Sequence, residues 1–475
     1  MEEENINLKI GLEIHQQLES TRKLFCNCPP ILRQDEPDFQ IERKLHIVAG
    51  ETGDIDEAVK YEASKDRKFI YQGYNDNTCL LEIDESPPYE IDKEVLKTTI
   101  QISLLLNADI ITTTQIMRKT VIDGSNTSGF QRTILIARNG WVETKSGKVK
   151  IQSIALEEDA CRIISQDEKK TIFRLDRLGI PLIEIATSPD IKNPEQAKEV
   201  ALHIGEILRA CKVKRGIGTI RQDVNMSIKG GERIEIKGVQ EPWLIEKTIE
   251  TETKRQEQIV KKNASKSEVR KANPDGTTSF LRPMPGAARM YPETDLPLLK
   301  IPKKLIDEIK NNLPKLKSEF REELRKKGLN EELIKLILEE NKIEELKALI
   351  KVYNNPNLIA KMLVLWPSEI ASREGIKNIE KKLSLDIIES ILQAVKQGKI
   401  SESDVKQIMI EIVKGKSIEE ALQKEPSENL EEEILKLIKE KPGLSINAYM
   451  GLVMSRLKGK ISGKDAMDIL KRLVK

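Results

Sequence analysis

The sequence predicts an α+β fold, with strands and helices over residues 1–300 and helices alone in the remainder of the chain. Residues 9–17 and 220–237 alternate between apolar and polar side chains, which is the period of a strand with one buried face. From about residue 301 the chain is rich in Ile, Leu, Lys and Glu, and its apolar residues recur at helical spacing. These observations predict a large sheet with helices, followed by an all-helical region.

Length and composition restrict the class of protein. A chain of 475 residues exceeds what one hydrophobic core usually serves, and three domains are predicted, over residues 1–300, 301–385 and 386–475. The 79 basic and 77 acidic residues give a net charge of only +2, so nucleic-acid binding would have to come from local patches. There is no signal-like N-terminus and no apolar run of about 18 residues, which predicts a cytoplasmic protein without membrane spans.

Residues 9–17, KIGLEIHQQ, are the first predicted strand. Alternation places Glu13 and His15 on one face and Ile10, Leu12 and Ile14 on the other. A carboxylate beside an imidazole suits a divalent cation or a charge-stabilised histidine. A surface strand with an ordinary histidine would give the same pattern, so both interpretations stay open here.

Residues 151–190 carry the most unusual carboxylates of the chain. Three of them are adjacent, Glu157, Glu158 and Asp159, and Glu184 then interrupts an aliphatic extended segment. A charge in such a strand is costly to bury unless a cation or a set of donors meets it. The alternative is a sheet rim at which Glu184 faces water.

Residues 115–133, QIMRKTVIDGSNTSGFQRT, are a candidate phosphate-binding segment. Arg118 and Lys119 close an extended stretch, Ser125 lies in the small-residue loop, and Arg132 follows it. Backbone amides of such a loop can approach an anion closely. The segment is not a Walker loop, and an ordinary polar turn would also explain it.

Residues 220–237 are predicted to form a hairpin that turns at Gly230 and Gly231. Alternation gives its two strands a polar face that carries Arg221, Asp223, Asn225, Glu235 and Lys237. Together with the strand of Glu13 and the strand of Glu184, these strands predict a shared polar basin.

The remaining predictions concern the cysteines, the helices, an irregular stretch and the C-terminal region. Cys26-Asn27-Cys28 could be half of a zinc site, but no second closely spaced pair occurs, and the five cysteines do not suggest a disulfide framework. Helices are predicted near residues 93–108, over 194–211 and through a charged stretch from 241 to 272. An irregular stretch then holds candidate functional groups, Gly286, Arg289, Glu293 and Asp295. The C-terminal helices are basic, which fits a nucleic-acid arm or an ordinary solvated surface.

Eight motifs in this order resemble one family over essentially the whole chain: IGLEIHQQL, KLFCNCP, RKTVIDGSNTSGFQRT, LEEDACR, RLGIPLIEIATSPDI, GTIRQDVNMSI, EIKG and PGAARMYPETDLP. They resemble the E subunits of archaeal glutamyl-tRNA(Gln) amidotransferase, which are related to the bacterial B subunits. The resemblance implies a cradle domain akin to glutamine synthetase, then a helical domain and a YqeY-like tail that engages tRNA. It also implies a partner, the asparaginase-like D subunit (GatD), in a heterotetramer that receives its ammonia.

The resemblance implies a reaction as well. ATP phosphorylates the γ-carboxylate of glutamate on Glu-tRNA(Gln), and ammonia then displaces phosphate to give Gln-tRNA(Gln). By match to the family's metal ligands, one Mg²⁺ is expected on His15, Glu158 and Glu184, with Glu13 beside them. For the other groups we assign phosphate or ATP to Arg118, Lys119, Ser125, Arg132, Arg221 and Lys237, and a second metal or ammonia to Asp223, Asn225 and Glu235.

One departure from the family is visible. The family's E subunits usually carry a domain resembling one of bacterial aspartyl-tRNA synthetase after the charged helix, whereas here KKNASKSEVRKANPDGTT joins the flanking segments directly. Two other functions stay open at this point. One is a B-type subunit that works with the bacterial amidase, and the other is a non-catalytic scaffold that binds tRNA.

Overall fold

A computed structural model describes residues 6–46, 53, 55–286, 290–376, 378–422, 427–457 and 463–474. The chain divides into two compact units, one ending at Leu316 and one beginning at Lys317. The first unit mixes strands and helices, and the described residues of the second form helices only, so the predicted α+β class with a helical C-terminal region is confirmed. None of the helices in the described ranges is long and apolar enough to cross a membrane.

The strands of the first unit are β1 Lys9–Gln17, β2 Phe39–Arg43, β3 Lys68–Gly73, β4 Asp109–Ile110, β5 Thr113–Thr114, β6 Ile116–Thr120, β7 Phe130–Thr144, β8 Gly147–Glu158, β9 Arg162–Gln166, β10 Lys170–Arg174, β11 Pro181–Thr187, β12 Ile220–Ser227, β13 Ile234–Lys237, β14 Glu268–Ala272, β15 Thr278–Pro283, β16 Met290–Pro292 and β17 Leu299–Lys300. Its helices are α1 Glu57–Ala63, α2 Lys93–Leu105, α3 Pro194–Ala210, α4 Pro242–Lys261 and α5 Lys303–Lys310.

The large sheet runs in the order β15-β14-β13-β12-β1-β11-β8-β7-β6-β16, and β4 pairs with β7 at its side. All neighbouring strands on this path are antiparallel except β13 and β14. The register of the central strands places His15 between Glu184 on β11 and Arg221 on β12, and it places Glu13 beside Asp223. Residues that lie opposite each other in a sheet share a face, so these side chains all point to the same side.

The other face of the sheet is apolar and buried along its central strands. Leu12 and Ile14 alternate with Glu13 and His15, and they pack in one core with residues such as Ile154 and Ile185. Helices α2, α3 and α4 cover this face. The first turns of α2 and α3 are capped by Asp92 and Asn193, whose side chains accept hydrogen bonds from backbone amides. Since the helices cover only the apolar side, the polar face is left for other uses.

Two local predictions have different outcomes. The hairpin of residues 220–237 is confirmed as β12 and β13, with a left-handed Gly230 in the turn. The charged helix predicted from 241 to 272 is wrong at its end, because α4 stops at Lys261 and β14 follows from Glu268. Asn263 with φ +52° turns the chain, and the strand forms because it can pair with β13. Residues 262–267 are therefore the whole connection between α4 and the sheet.

The helices of the second unit are α6 Lys317–Lys326, α7 Glu331–Glu339, α8 Ile343–Val352, α9 Pro356–Ala360, α10 Trp366–Glu374, α11 Leu385–Lys396, α12 Val405–Val413, α13 Ile418–Leu422, α14 Ser427–Glu440, α15 Ile446–Arg456 and α16 Gly463–Leu473. One apolar cluster extends from Leu324 on α6 to Ala421 on α13, and a second one joins α14, α15 and α16. The boundary placed after residue 385 falls within the first cluster, because α11 packs against α8. The third domain itself stays a prediction.

Candidate active site

A cavity of about 650 Å³ lies on the polar face of the large sheet. Among the described residues, six carboxylates and five cationic side chains line it together with His15. The charged lining residues are Glu13, Lys119, Glu157, Asp159, Glu184, Arg221, Asp223, Arg233, Glu235, Lys237 and Arg282. The predicted polar basin therefore exists, and strand alternation builds it.

His15 lies among carboxylates near the middle of this face. Its Nε2 is 3.3 Å from Glu184 Oε2 and 3.5 Å from Glu13 Oε1. Burial alone would lower the pKa of His15, but the hydrogen bond and the charge of Glu184 raise that pKa above its usual value. Burial and the charge of Glu184 raise the pKa of Glu13 to about 7. This part of the cavity therefore holds more negative charge than its own residues neutralise.

Lys119 on β6 bridges two carboxylates that lie two and three strands away, on β8 and β11. Its Nζ is 2.6 Å from Glu157 Oε1 and 3.4 Å from Glu184 Oε2. Thr133 Oγ1 also donates to Glu157 Oε1, at 2.7 Å. Burial would raise the pKa of Glu184, but Lys119 and His15 hold that pKa well below its usual range. Glu184 is thus kept ionised next to a cation.

The second oxygen of Glu157, Oε2, differs from Oε1 in its hydrogen bonding. Glu157 is 1% exposed, and its Oε2 is buried with no hydrogen-bond partner in the part of the chain that the structure describes. A buried carboxylate oxygen without a donor is costly, and such an oxygen indicates a ligand or an ion that satisfies it. One oxygen each of Glu157 and Glu184 and a ring nitrogen of His15 lie within 4.8 Å of one another. This group fits a divalent cation that prefers carboxylate oxygens.

The strands on the other side of His15 carry two further groups. Lys237 Nζ lies 3.0 Å from Asp223 Oδ2 and 2.7 Å from Glu235 Oε1. Burial would lower the pKa of Lys237, but these two carboxylates raise it, so the ammonium stays charged. Arg221 Nη2 donates to Asp159 Oδ1 at 2.8 Å, and Gln17 Nε2 donates to Asp159 Oδ2 at 2.6 Å. Both cations are therefore fixed by carboxylates at the cavity wall.

The structure corrects the expected magnesium ligands. Glu158 does not join His15 and Glu184, because neighbouring residues of a strand point to opposite faces and Glu157 already takes the cavity side. Glu158 Oε2 instead accepts from the backbone N–H of Arg132 at 3.1 Å, and its Oε1 lies 3.3 Å from Arg132 Nη1. Sequence parity would have indicated this, since Glu158 alternates in step with the core residues Ile154 and Leu156.

Arg118 and Arg132 also lie away from the cavity lining. Arg118 alternates with Lys119, and its Nε donates to Glu293 Oε2 at 3.0 Å. Arg132 Nε donates to the same oxygen at 2.8 Å. We call Arg118, Arg132, Glu158 and Glu293 the reverse-face cluster. Its two arginines form ion pairs with carboxylates of the chain, and they do not face an open space in which phosphate could bind.

Two other predicted residues are not brought into the cavity, and one cannot be placed. Ser125 belongs to a loop that is held from outside the cavity, since its carbonyl accepts from Cys161 N and Tyr71 Oη donates to Gly124 O. Asn225 pairs with Gly11 and Glu235 on the sheet but does not line the cavity. Arg289 lies outside the described residues.

Sequence reasoning missed several cavity residues. Asp159 and Glu157 were recognised as unusual carboxylates without a role, although Glu157 is two residues from Ala155, which lies opposite Glu184. Arg233 was placed on the polar face of the hairpin by its alternation with Ile234 but was given no role, and Arg282 was not singled out. Arg233 shares its parity with Glu235, which was a usable signal, whereas Arg282 depends on the pairing of β14 with β15.

A second potential metal centre lies away from the cavity. The thiols of Cys26, Cys28 and Cys79 and a carboxylate oxygen of Glu82 lie within 4.8 Å of one another. Three sulfurs and one oxygen are a donor set that zinc accepts. Glu82 Oε1 also pairs with the fully buried Lys23, at 2.8 Å. The sequence left a zinc site at Cys26 and Cys28 as a possibility without a second pair, and Cys79 and Glu82 are the residues that lie beside them in the structure.

Comparisons with known proteins agree with one another. A sequence model of the GatB/GatE catalytic domain matches residues 8–307. The chain is 39% identical to the E subunit of glutamyl-tRNA(Gln) amidotransferase from Methanocaldococcus jannaschii over 630 aligned positions, which cover 99% of each chain. It is 34% identical to the E subunit from Methanococcus maripaludis strain C7, over 99% of each chain, and 32% identical to that from Pyrobaculum neutrophilum, over 98% of each.

The aligned length bears on the expected departure from the family. The 630 positions outnumber the 475 residues of this chain, so the M. jannaschii relative has residues without a counterpart here. Their number alone does not locate them in the relative. The absence of an inserted domain after α4 therefore stays a prediction, although the direct connection at 262–267 accords with it.

Proposed function

This chain belongs to the GatB/GatE family of tRNA-dependent amidotransferase subunits, and from that premise we propose that its cavity converts Glu-tRNA(Gln) to Gln-tRNA(Gln). In the proposed reaction an oxygen of the glutamyl γ-carboxylate attacks the terminal phosphorus of ATP, and ADP leaves. Ammonia then attacks the acyl carbon, phosphate leaves, and the nitrogen loses a proton. The net product is the amide, with ADP and phosphate.

The observation that carries this proposal is the group formed by His15, Glu157 and Glu184, with its unsatisfied Glu157 oxygen. These three residues would hold Mg²⁺, which supplies charge neutralisation and orientation to transferring phosphoryl groups. Lys119 stabilises the two carboxylates in position, at 2.6 Å and 3.4 Å. The chain therefore presents these two carboxylates already oriented before any ion arrives.

The other cavity residues have roles that follow from their charges. Lys119 and Lys237 bring ammonium groups to the two sides of His15, where they can stabilise negative charge on a migrating phosphoryl group. Asp223 and Glu235 offer carboxylates to an ammonium ion or to the proton that ammonia loses. Arg221 lies directly opposite His15 in the sheet and forms an ion pair with Asp159 at the cavity wall. From there it positions the substrate carboxylate or phosphate.

The partner belongs to the proposal as well. The relatives are named as the E subunit of an amidotransferase, so a separate polypeptide is expected to release ammonia. We assign that role to an asparaginase-like D subunit in a heterotetramer. The described cavity residues include no candidate nucleophile for glutamine hydrolysis, since no cysteine, serine or threonine is among the lining residues.

The test is an assay of Gln-tRNA formation from Glu-tRNA(Gln), ATP and free ammonium, because external ammonia makes the partner unnecessary. We expect product to form with Mg²⁺ and to be abolished by EDTA, with activity restored by added Mg²⁺. ADP should appear in step with Gln-tRNA. Binding of tRNA without any product or ADP at saturating ammonium would show that the chain is a scaffold rather than the site of the reaction.

A further inference from the structure

The cationic residues of the cavity fall into two classes. Lys119, Arg221 and Lys237 each form an ion pair with at least one carboxylate of the cavity. Their charge is therefore partly neutralised by the protein itself. A ligand with several negative charges needs cations that are not already neutralised. The other two cationic residues described in the cavity lining are Arg233 and Arg282.

Arg282 has no carboxylate partner within the described part of the chain. Its side chain is half-buried, and its Nε is buried without a hydrogen-bond partner. A guanidinium has five N–H donors and no acceptor, so a buried donor of this kind favours an anion that accepts from it. The reverse-face arginines show the contrast, since Arg118 and Arg132 both bind Glu293.

Arg233 is placed to act with Arg282. The only hydrogen bond recorded for its guanidinium among the described residues runs from Nη2 to the Met284 sulfur, at 3.2 Å. Thioether sulfur is a weak acceptor, so that contact leaves the charge of Arg233 unneutralised. Met284 follows Arg282 by two residues, and the contact therefore brings the Arg233 side chain towards the end of β15 that carries Arg282.

The sheet register fixes the distance between these arginines and the metal-binding group. Glu235 lies opposite Val269, and Val269 lies opposite Arg282, so Arg282 faces the cavity two strands beyond Glu235. From β15 to His15 on β1 the path crosses four strand spacings, about 19 Å at roughly 4.8 Å each, and Glu184 and Glu157 lie one and two strands farther. Arg282 and Arg233 both line the cavity and have long side chains, which leaves a triphosphate chain and its hydrogen bonds a shorter gap to span.

We propose that Arg282 and Arg233 form a subsite that binds the polyphosphate of the nucleotide, at the end of the cavity remote from His15, Glu157 and Glu184. This inference rests on the proposed function, because it takes ATP as the phosphate donor. The metal-binding group would then hold the terminal phosphate to be transferred, and the two arginines would hold the phosphates that leave as part of ADP. It also replaces Arg118, Arg132 and Ser125 as the nucleotide-binding residues.

The test measures binding of Mg·ATP and of inorganic tripolyphosphate by calorimetry, for the wild-type chain, Arg282→Gln, Arg233→Gln and the double variant. Loss of a charge-assisted hydrogen bond should weaken both ligands about tenfold or more in Arg282→Gln. The exposed Arg233 should contribute less. Adenosine, which has no phosphate, should bind all variants equally. The matched control is Arg138→Gln, an exposed arginine outside the cavity lining, which should change nothing.

Three results would overturn the inference. One is unchanged affinity of the double variant for both Mg·ATP and tripolyphosphate. Another is weakened binding of tRNA with ATP affinity intact, which would assign the arginines to the acceptor end of tRNA. The third is equal loss of adenosine and ATP in both Arg282→Gln and the more conservative Arg282→Lys, which would indicate a structural role. A wild-type chain that binds tripolyphosphate but forms no Gln-tRNA would refute the proposed function and leave the subsite standing.

Discussion

Each face of the large sheet carries one cluster of charged residues, and the two clusters use their charges differently. On the reverse face two arginines and two glutamates pair closely, and Glu293 is fully buried between Arg118 and Arg132. Among the described residues of the cavity face, carboxylates outnumber lysines and arginines, and Glu157 keeps a buried oxygen without a partner. A closed set of ion pairs stabilises the protein, whereas an incomplete set next to an open cavity is prepared for a ligand. Composition alone therefore does not distinguish the two.

The largest expected effect of a single substitution is that of Glu184→Gln on the cavity face. It removes one ligand charge without a change in volume, so formation of Gln-tRNA should fall on the order of a thousandfold. The melting temperature should stay close to that of the wild type, because Lys119 keeps its contact with Glu157. Glu143→Gln, at an exposed position on β7, is the control. Unaltered activity at both saturating and limiting Mg²⁺ would remove Glu184 from the metal-binding group.

On the reverse face the comparison predicts the opposite outcome. Glu293→Gln removes the carboxylate that Arg118 and Arg132 share, leaving buried positive charge, and should cost about 3 kcal/mol of stability. Differential scanning calorimetry should show a lower melting temperature. Activity per folded molecule, measured well below that temperature, should change only a few-fold. A loss of activity as large as that of Glu184→Gln would show that the two faces do not have separate functions.

A smaller effect is expected outside the sheet. Removing residues 427–475 deletes α14 to α16, which have an apolar cluster of their own, and should raise the KM for tRNA several-fold. The effect should be modest because Arg456 and Arg472 already pair with Glu440 and Glu431. ATP affinity should be unchanged. Equal loss of tRNA and ATP binding would show that these helices support the cavity.

The alternation of strand residues between two faces accounts for most of the site residues that were predicted correctly, and it also explains the errors in the prediction. Glu13, His15, Glu184, Arg221, Asp223, Glu235 and Lys237 reach one cavity because polar residues at a period of two share a face. Glu158 was placed on the wrong face because a match between motifs does not check parity, and Arg118 because its segment was assigned to phosphate as a whole. Lys119, which follows Arg118 in the same predicted phosphate-binding segment, does line the cavity.

Other features depend on pairings that a single sequence does not reveal. Cys79 joins Cys26 and Cys28 only because the intervening residues fold back, and spacing gives no sign of it. Arg282 faces the cavity because β14 pairs in parallel with β13. The segment of β14 was predicted as helix, since its charges continue those of α4 without a break. Long-range strand pairing was the information that the sequence lacked.

The most direct test compares Glu157→Gln with Glu158→Gln in the ammonium-dependent assay across a range of Mg²⁺ concentrations. These residues are adjacent in sequence, identical in type and buried, but they lie on opposite faces of β8. Glu157→Gln should lower activity at least about a hundredfold and raise the Mg²⁺ concentration needed for half-maximal rate. Glu158→Gln should leave that concentration unchanged and lower only the melting temperature. The reverse result, with the Mg²⁺ requirement moved by Glu158→Gln and not by Glu157→Gln, would contradict the account.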